Sequence, residues 1–206
     1  LCDSLLEKGY KVVGVDDFND YYDPQRKESN IASAVKHPNF TLFREDIRNG
    51  EEIEKIFRQH PIARVVHLAA RAGVRASMQD PELYFSVNVD GTKCLLELSG
   101  KYKIKQFIFG SSSSVYGENK KVPFAESDPL TKTLSPYAES KKRAELLCKE
   151  FHDQCHLPII CLRFFTVYGP RGRPDMAPYK FAKAILEGTP IGQFGDGSSK
   201  RDYTYV

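Results

Sequence analysis

The sequence has 206 residues, of which 41% are hydrophobic and 28% are charged. Its net charge of +3 is small for this length, and basic residues alternate with acidic ones, so nothing in the composition indicates a nucleic-acid partner. Five cysteines form no CxxC pair, which favours reduced thiols in the cytoplasm. No apolar run approaches the ~20 residues of a membrane span. The composition predicts a cytoplasmic globular protein with one domain and part of a second.

Strand and helix signals alternate along the chain. Residues 1–8 have helical spacing and end at a glycine, so the chain begins inside a helix. Five short β-branched or aromatic runs predict strands, and longer stretches between and after them predict helices. The predicted strands are 10–15, 40–43, 65–68, 104–109 and 159–164, and the further helices are 26–35, 51–59, 82–99, 136–154 and 180–187.

This alternation predicts the fold class. Strands separated by helices of ten or more residues favour right-handed βαβ units on a parallel sheet with helices on both faces. We therefore predict an α/β fold with a doubly wound, Rossmann-type sheet, formed by residues 1–165. The sequence then becomes rich in Gly and Pro, which predicts that 166–206 begin a smaller substrate-binding lobe.

Polar or small residues follow most of the predicted strands. In a doubly wound sheet, ligands bind beyond the carboxyl ends of the strands. The residues at these ends are therefore candidates for a binding site. They are Asp16, Asp46, Ala69, Ala70, Ser111 to Ser114 and Thr166.

Tyr137 and Lys141 are the strongest candidates for chemistry. They lie four residues apart at the start of a helix signalled by Ser135 and Pro136, so both side chains are on one helix face. An ammonium group near a phenol stabilises the phenolate, which can then act as a general base towards a sugar hydroxyl. The YxxxK spacing is weak evidence alone, since it often arises by chance. The serine run 111–114 strengthens the prediction, because its hydroxyls can bind the same reacting oxygen.

Three motifs resemble a known family. They are GSSSSVYG at 110–117, SPYAESK at 135–141 and LRFFTVYGPRGRPDMAP at 162–178. Together they resemble the extended short-chain dehydrogenase/reductases, specifically their NAD-dependent nucleotide-sugar epimerases, over nearly the whole chain. The resemblance implies that Tyr137 is the catalytic acid/base and that Lys141 binds the nicotinamide ribose and tunes Tyr137. It also implies that Ser112 completes the catalytic triad.

An NAD site is a further implication of this resemblance. Asp16 would accept the adenine-ribose hydroxyls, and its charge would repel a 2′-phosphate and so favour NAD over NADP; the alternative is a helix or turn cap. Asp46 and Ile47 would contact the adenine, and Phe165 would pack against the nicotinamide. The other residues expected to bind the cofactor are Leu68, Ala69, Ala70, Asn88, Tyr137 and Lys141.

The family also has a first strand and a glycine-rich turn that holds the pyrophosphate. By the resemblance, both would precede Leu1. Residues 1–165 are therefore expected to be an NAD-binding domain truncated at its N-terminus, with helix 1–8 as the rest of its first crossover. We expect the full-length enzyme to be active and the 206-residue chain to hold NAD poorly.

The reaction is inferred from the positions around the triad. Related 4,6-dehydratases carry Asp-Glu where this chain has Ser113 and Ser114, so elimination of water would lack its acid and base. Epimerisation at C4 of a UDP-sugar, through a 4-keto intermediate, needs only NAD. The loop 171–176 resembles the UDP-glucuronate 4-epimerases, in which Arg173 would hold the substrate carboxylate and UDP-galacturonate would be the product. The other expected substrate-binding residues are Ser112, Ser113, Ser114, Thr166 and Arg201.

Two alternatives concern the substrate and the activity. If Arg171 and Arg173 bind the diphosphate instead of a carboxylate, the chain would belong to a UDP-glucose 4-epimerase. A non-catalytic NAD-binding scaffold would fit the fold, but such proteins commonly lose the Tyr or the Lys. The presence of both residues here favours an enzyme.

Two other features have both a functional and a structural interpretation. His152 and His156 mimic a two-histidine metal motif, but Pro158 ends the helix and no third ligand follows, so we expect no metal. Leucine-rich faces of the helices 82–99 and 136–154 either pair two copies into a homodimer or belong to the core. The homodimer is expected mainly from the family resemblance.

Overall fold

The structure is a computed structural model that describes residues 1–193, 195–198 and 200–206. Its helices are α1 (Cys2–Glu7), α2 (Pro24–Val35), α3 (Gly50–Gln59), α4 (Val74–Ser77), α5 (Pro81–Phe85), α6 (Gly91–Lys101), α7 (Pro136–Cys155) and α8 (Ala177–Glu187). Its strands are β1 (Val12–Val15), β2 (Phe40–Phe43), β3 (Arg64–His67), β4 (Gln106–Ser112), β5 (Ile159–Phe164), β6 (Thr166–Tyr168) and β7 (Tyr203–Tyr205).

The predicted α/β fold is confirmed. Strand β4 lies between β3 and β5 and runs parallel to both. Parallel neighbours require a crossover, which α4 to α6 supply between β3 and β4 and α7 supplies between β4 and β5. The result is a Rossmann-like arrangement in which the carboxyl ends of three strands meet at one edge.

The chain forms two compact units. The larger contains Val15–Asp17 and Arg44–Phe164, and its sheet has the strand order β3-β4-β5. The smaller contains Leu1–Gly14, Phe18–Phe43 and Phe165–Val206, with the pair β1-β2 and the parallel pair β6-β7. In the part of the chain that the structure describes, none of the helices combines the length and apolar character needed to span a bilayer.

The core of the larger unit lies between its sheet and the helices α6 and α7. Phe107 and Phe109 point to the same face of β4 and are fully buried. Ala144 and Cys148 of α7 are also buried, and their small side chains let the helix approach this face closely. Burial of each phenylalanine contributes about 1.5–3 kcal/mol, so this interface fixes α7 on the sheet.

Strand β4 differs from the prediction at both ends. It was expected at 104–109 but spans Gln106–Ser112, so Ser111 and Ser112 belong to the strand rather than to the loop after it. The extension follows from pairing, because Ser111 and Ser112 lie opposite Arg163 and Phe164 of β5. Serine is a weak strand former, and the neighbouring strand supplies the ladder that its own sequence does not predict.

The helix predicted at 82–99 is interrupted. A π-helical turn, Ser86–Asp90, separates α5 from α6 and contains the buried Asn88. Such turns are often found at functional sites. Gly91 follows the turn, and a Cβ atom there would lie 2.5 Å from Cδ1 and 2.7 Å from Cγ1 of Ile47, so a larger residue would require the buried Ile47 side chain to move.

We expect Gly91→Ala to destabilise the protein by about 1–3 kcal/mol, because overpacking against Ile47 outweighs the gain in helix propensity. Denaturant unfolding measures the change. Adding Ile47→Val should recover part of the loss through non-additive coupling. Gly192→Ala is the control, since its Cβ would meet no atom within 4 Å. Equal stability of Gly91→Ala and the wild type would contradict the close approach.

Candidate active site

The first two turns of α7 carry the predicted Tyr–Lys pair. Ser135 caps the helix by accepting a hydrogen bond from the Ala138 backbone N–H at 3.1 Å, and Pro136 is the first helical residue. The predicted helix start is therefore confirmed. Tyr137 and Lys141 lie one turn apart on the helix that packs against β4.

The ring of Tyr137 is held by a second tyrosine. It meets the ring of Tyr84 edge-on, with centroids 6.3 Å apart and an interplanar angle of 83°. Tyr84 is buried, and its hydroxyl donates a hydrogen bond to the Ala72 carbonyl at 2.6 Å. Edge-to-face packing of this kind restricts the direction of the Tyr137 ring.

Lys141 is almost completely buried, with 3% of its surface exposed. Its Nζ donates a hydrogen bond to the Gly110 carbonyl at 2.7 Å and lies 4.8 Å from the centroid of the Phe109 ring. Burial lowers the pKa of Lys141 to about 8, while the negative charge of the Glu145 carboxylate acts to raise it. The lysine is therefore an ammonium at neutral pH that can lose its proton in mildly alkaline solution.

The serine run lies at the carboxyl end of β4. Ser112 is buried, and its Oγ accepts a hydrogen bond from the Ser114 backbone N–H at 3.2 Å and donates one to Ser114 Oγ at 3.1 Å. Ser113 and Ser114 are half-buried in the 3-10 turn Ser113–Tyr116. Because Lys141 contacts Gly110, two residues before Ser112, the structure brings the predicted lysine and serine to the same end of one strand.

Asn88 connects the loop after β3 to α7. Its Oδ1 accepts a hydrogen bond from the Arg71 N–H at 2.8 Å, and its Nδ2 donates to the Arg71 carbonyl at 2.9 Å. The same Nδ2 donates to Ser140 Oγ at 2.9 Å, and Ser140 donates to the Tyr137 carbonyl at 2.8 Å. One buried amide therefore fixes both a loop at the strand ends and the turn that carries Tyr137 and Lys141.

A buried histidine supports the backbone of Asn88 through Thr92. Thr92 Oγ1 donates a hydrogen bond to the Asn88 carbonyl at 2.6 Å and lies 2.9 Å from His67 Nε2. Because the threonine proton is used, Nε2 must be the donor to Thr92. Burial and the nearby charge of Lys141 lower the pKa of His67 to about 3, so the imidazole is neutral.

The expected cofactor residues of the larger unit lie directly after strands. Asp16 follows β1 and is exposed. After β3, Leu68 is 53% exposed, and Ala69 and Ala70 are partly exposed. Small side chains at these positions leave room for a ligand near the backbone.

Asp46 and Ile47 have different environments. Asp46 accepts hydrogen bonds from Arg48 Nε at 3.0 Å and NH2 at 2.6 Å, and this pairing holds the pKa of its carboxyl below the ordinary value. Ile47 is buried against Gly91. Asp46 is therefore already paired with Arg48, a residue that no sequence motif indicated.

The other predicted residues belong to the smaller unit. Phe165 and Thr166 are half-buried where β6 begins, and the Thr166 N–H donates to the Asp202 carbonyl at 3.2 Å. Arg173 donates to both carboxylate oxygens of Asp175, from Nε at 2.9 Å and from NH2 at 2.6 Å. Arg201 is exposed and donates to the Lys200 carbonyl. The guanidinium fork of Arg173 thus already holds a carboxylate.

Two residues near the site were missed. Glu145 accepts a hydrogen bond from Ser111 Oγ at 2.5 Å and pairs with Arg163, whose NH2 lies 2.9 Å from Oε2. Two signals indicated them. Glu145 falls one turn after Lys141 on the same helix face, and Arg163 is a charge inside the apolar run of β5.

The two histidines considered for a metal site have structural roles at the end of α7. His152 Nδ1 lies 2.9 Å from the Leu157 carbonyl, and His156 ends α7 in a left-handed conformation. Across residues 1–193, 195–198 and 200–206, no group of three or more His, Cys, Asp or Glu side chains has the geometry to hold a metal ion.

A parallel α/β sheet, a serine run at the end of its central strand, and a Tyr–Lys pair on the adjoining helix define an extended short-chain dehydrogenase/reductase. The sequence model of the NAD dependent epimerase/dehydratase family matches residues 1–206. The chain therefore belongs to this family.

Individual relatives are similar over almost the whole chain. UDP-glucuronate 4-epimerase of Thermodesulfobacterium geofontis is 45% identical over 202 residues, which are 98% of this chain and 62% of that protein. The structure of UDP-glucuronic acid 4-epimerase from Bacillus cereus, in complex with UDP-glucuronic acid and NAD, has a TM-score of 0.91 and 42% identity and covers 99% of this chain and 64% of its own. UDP-glucose 4-epimerase from Thermotoga maritima, with UDP-glucose, has a TM-score of 0.88 and 34% identity, over 98% and 64% of the two chains. The chain thus spans about three fifths of the length of the first of these relatives.

We expect His67 to make stability depend on pH. Its folded pKa of about 3 lies below the ordinary value of 6.5, so the unfolded state binds the proton more tightly and stability falls as pH drops from 6.5 towards 3. Between about pH 7 and about pH 4.5, the wild type should lose roughly 2 kcal/mol more unfolding free energy than His67→Gln, which cannot titrate. Urea unfolding at each pH measures this, and parallel curves for the two proteins would contradict a neutral buried histidine.

Proposed function

We propose that the full-length protein catalyses NAD-dependent epimerisation at C4 of a UDP-sugar, converting UDP-glucuronate to UDP-galacturonate through a 4-keto intermediate. The observation that carries the proposal is the position of Lys141. It is buried at the carboxyl end of β4, two residues from Ser112, and lies one helical turn from Tyr137. This arrangement supports a site in which an ammonium group, a phenol and a hydroxyl act at the edge of the sheet where ligands bind.

The larger unit has residues that fit NAD. Asp16 presents an exposed carboxylate after β1, which suits the two hydroxyls of an adenine ribose and disfavours a 2′-phosphate. Ala69 and Ala70 leave space at the end of β3, and Asn88 fixes the next residue, Arg71. When bound, NAD supplies the reversible acceptance of a hydride from C4.

The proposed roles of the triad follow from its chemistry. Tyr137 takes the proton from the C4 hydroxyl as the hydride leaves, and returns it when the hydride comes back to the other face of the sugar. Lys141 stabilises the phenolate through its charge and would bind the nicotinamide ribose. Ser112 donates a hydrogen bond to the C4 oxygen, with Ser113 and Ser114 contributing further hydroxyls. Proton and hydride are both returned, so no net oxidation occurs.

UDP-glucuronate is the preferred substrate on two grounds. Relatives at 45% and 42% identity carry that activity in their names. In addition, Arg173 holds the Asp175 carboxylate with two hydrogen bonds, which is the geometry that a sugar carboxylate requires. The geometry of the fork favours a carboxylate, whereas its occupancy favours UDP-glucose as the second candidate, because the fork is not available to the substrate until the pair with Asp175 opens.

Three further proposals concern the full-length protein. Residues 1–165 would form part of an NAD-binding domain, and 166–206 would contribute to the substrate lobe, in which Thr166 and Arg201 contact the nucleotide sugar. A cytoplasmic location is supported by five free cysteines. A homodimer is supported by the exposed Leu146 of α7, whereas Leu95, Leu96 and Leu98 of α6 are core residues.

We expect Tyr137→Phe to lose at least ~100-fold in kcat because the general base is removed. The protein is expressed with any residues that its gene encodes before or after this chain. It is incubated with UDP-glucuronate or UDP-glucose, and proton NMR follows the configuration at C4. Tyr102→Phe is the matched control, since its hydroxyl contacts Glu54 on the surface helix α3. Turnover of UDP-glucose alone would establish the second candidate, and turnover of neither would leave an NAD-binding scaffold.

We expect Arg173→Met to lower kcat/KM for UDP-glucuronate by ~10-fold or more and to affect UDP-glucose less, because only the first substrate has a carboxylate to pair. Arg58→Met is the control, as Arg58 pairs with Glu54 on the surface of α3 and has no proposed role in binding. Steady-state kinetics with both substrates measures the difference. An equal loss on both substrates would instead assign Arg173 to the diphosphate that they share.

A further inference from the structure

Helix α7 contacts two consecutive residues of β4 through two residues one turn apart. Lys141 Nζ donates to the Gly110 carbonyl at 2.7 Å, and Glu145 Oε1 accepts from Ser111 Oγ at 2.5 Å. We name these two contacts, formed by Gly110, Ser111, Lys141 and Glu145, the α7–β4 clamp. The clamp ends directly before Ser112, the proposed triad hydroxyl.

Arg163 fixes the carboxylate of the clamp. Its Nε lies 3.0 Å from Glu145 Oε1 and its NH2 lies 2.9 Å from Oε2, and the two side chains are only 17% and 10% exposed. Arg163 is also the partner of Ser111 across the β4–β5 ladder. Its guanidinium lies 4.9 Å from the Tyr116 ring and donates to the Glu126 carbonyl. The ion pair therefore joins β5 and the loop after β4 to α7.

Strand geometry explains how Glu145 acts on the site. Successive residues of a strand point to opposite faces, so Ser111 faces α7 while Ser112 faces away from it. Ser112 instead caps the 3-10 turn through Ser114. The hydrogen bond that fixes Ser111 therefore also fixes the position of the next residue, Ser112, which caps the 3-10 turn.

We propose that Glu145 is a positioning residue that, through Ser111 and Arg163, sets the carboxyl end of β4 relative to the turn of α7 carrying Tyr137 and Lys141. This inference rests on the proposed function, because it concerns the same site. In this proposal, Glu145 contacts neither the substrate nor the cofactor. The effect on chemistry is indirect, through the distance between Ser112 and the Tyr–Lys pair.

The negative charge of Glu145 provides a readout that a purely structural role would not give. It acts to raise the pKa of Lys141, against the larger effect of burial. Other charged or titratable groups face Lys141 and Glu145 from the elements packed against them. The variants that are compared with the wild type must therefore retain all of these groups. They are Cys148 on α7, His67 on β3, Cys161 and Arg163 on β5, and Tyr116 on the 3-10 turn.

The first experiment measures the titration of Lys141 by NMR with ¹³C-labelled lysine, the signal being assigned by its absence from Lys141→Met. The protein is expressed with any sequence that flanks these residues in its gene. We expect the midpoint to fall from about 8 in the wild type to a lower pH in Glu145→Gln. Asp153→Asn is the matched control, because it neutralises an exposed carboxylate on the same helix, paired with Lys149 at 2.7 Å. An unchanged midpoint in folded Glu145→Gln would mean that the Glu145 carboxylate does not lie close to Lys141, as the α7–β4 clamp requires, and overturns the proposal.

The second experiment removes only the hydrogen bond and keeps both charges. We expect Ser111→Ala to lower kcat roughly 10-fold, with NAD affinity and KM near the wild-type values, because misplaced catalytic groups slow the chemical step. If Glu145→Gln fails to fold, the Ser111→Ala variant tests the proposal in its place. Wild-type kcat in Ser111→Ala overturns the proposal. Should the wild type turn over neither UDP-sugar, the proposed function has failed, whereas the lysine titration still tests the effect of Glu145 on Lys141.

Discussion

The burial of Lys141 is the constraint on which the site depends. An ammonium group inside a protein core is costly, and its pKa of about 8 reflects that cost. The charge is retained because the Gly110 carbonyl accepts a hydrogen bond, the Phe109 ring faces the ammonium, and Glu145 supplies a nearby negative charge. Each of these groups must stay in place for the lysine to remain charged, so the position of α7 on the sheet is fixed by electrostatics as well as by packing.

Two separate networks of polar residues contact α7. One runs from His67 through Thr92 to Asn88 and ends at Ser140, between the tyrosine and the lysine. The other joins β4 and β5 to Glu145. A buried polar group that loses its partner costs about 1–3 kcal/mol, so breaking the hydrogen bonds of either network is unfavourable. Their common element is the first half of α7, which explains why an otherwise ordinary amphipathic helix can place catalytic groups with accuracy.

Local signals predicted part of this structure and long-range contacts decided the rest. The start of α7 could be read from Ser135 and Pro136, since capping depends only on neighbouring residues. The extension of β4 through Ser112 could not, because its ladder partner lies more than fifty residues away in β5. The π-helical turn around Asn88 was missed for the same reason: its amide is bonded to Arg71 and Ser140, not to its own helix. The roles assigned to the candidate site residues stay predictions.

The pair formed by Arg173 and Asp175 bears on substrate choice. Burial is the largest single effect on the Asp175 carboxyl and acts to raise its pKa. The hydrogen bonds and the charge of Arg173, together with a hydrogen bond from the Tyr21 hydroxyl, hold the pKa below its ordinary value. A substrate carboxylate would therefore have to displace an internal anion of the same shape, whereas a neutral hydroxymethyl group would leave the pair closed. Specificity is the difference between the affinities for two substrates. The Asp175 carboxylate competes for Arg173 and so lowers the affinity for the substrate that carries a carboxylate. Discrimination for the acid thus requires that the open arginine bind the sugar carboxylate more strongly than it binds Asp175.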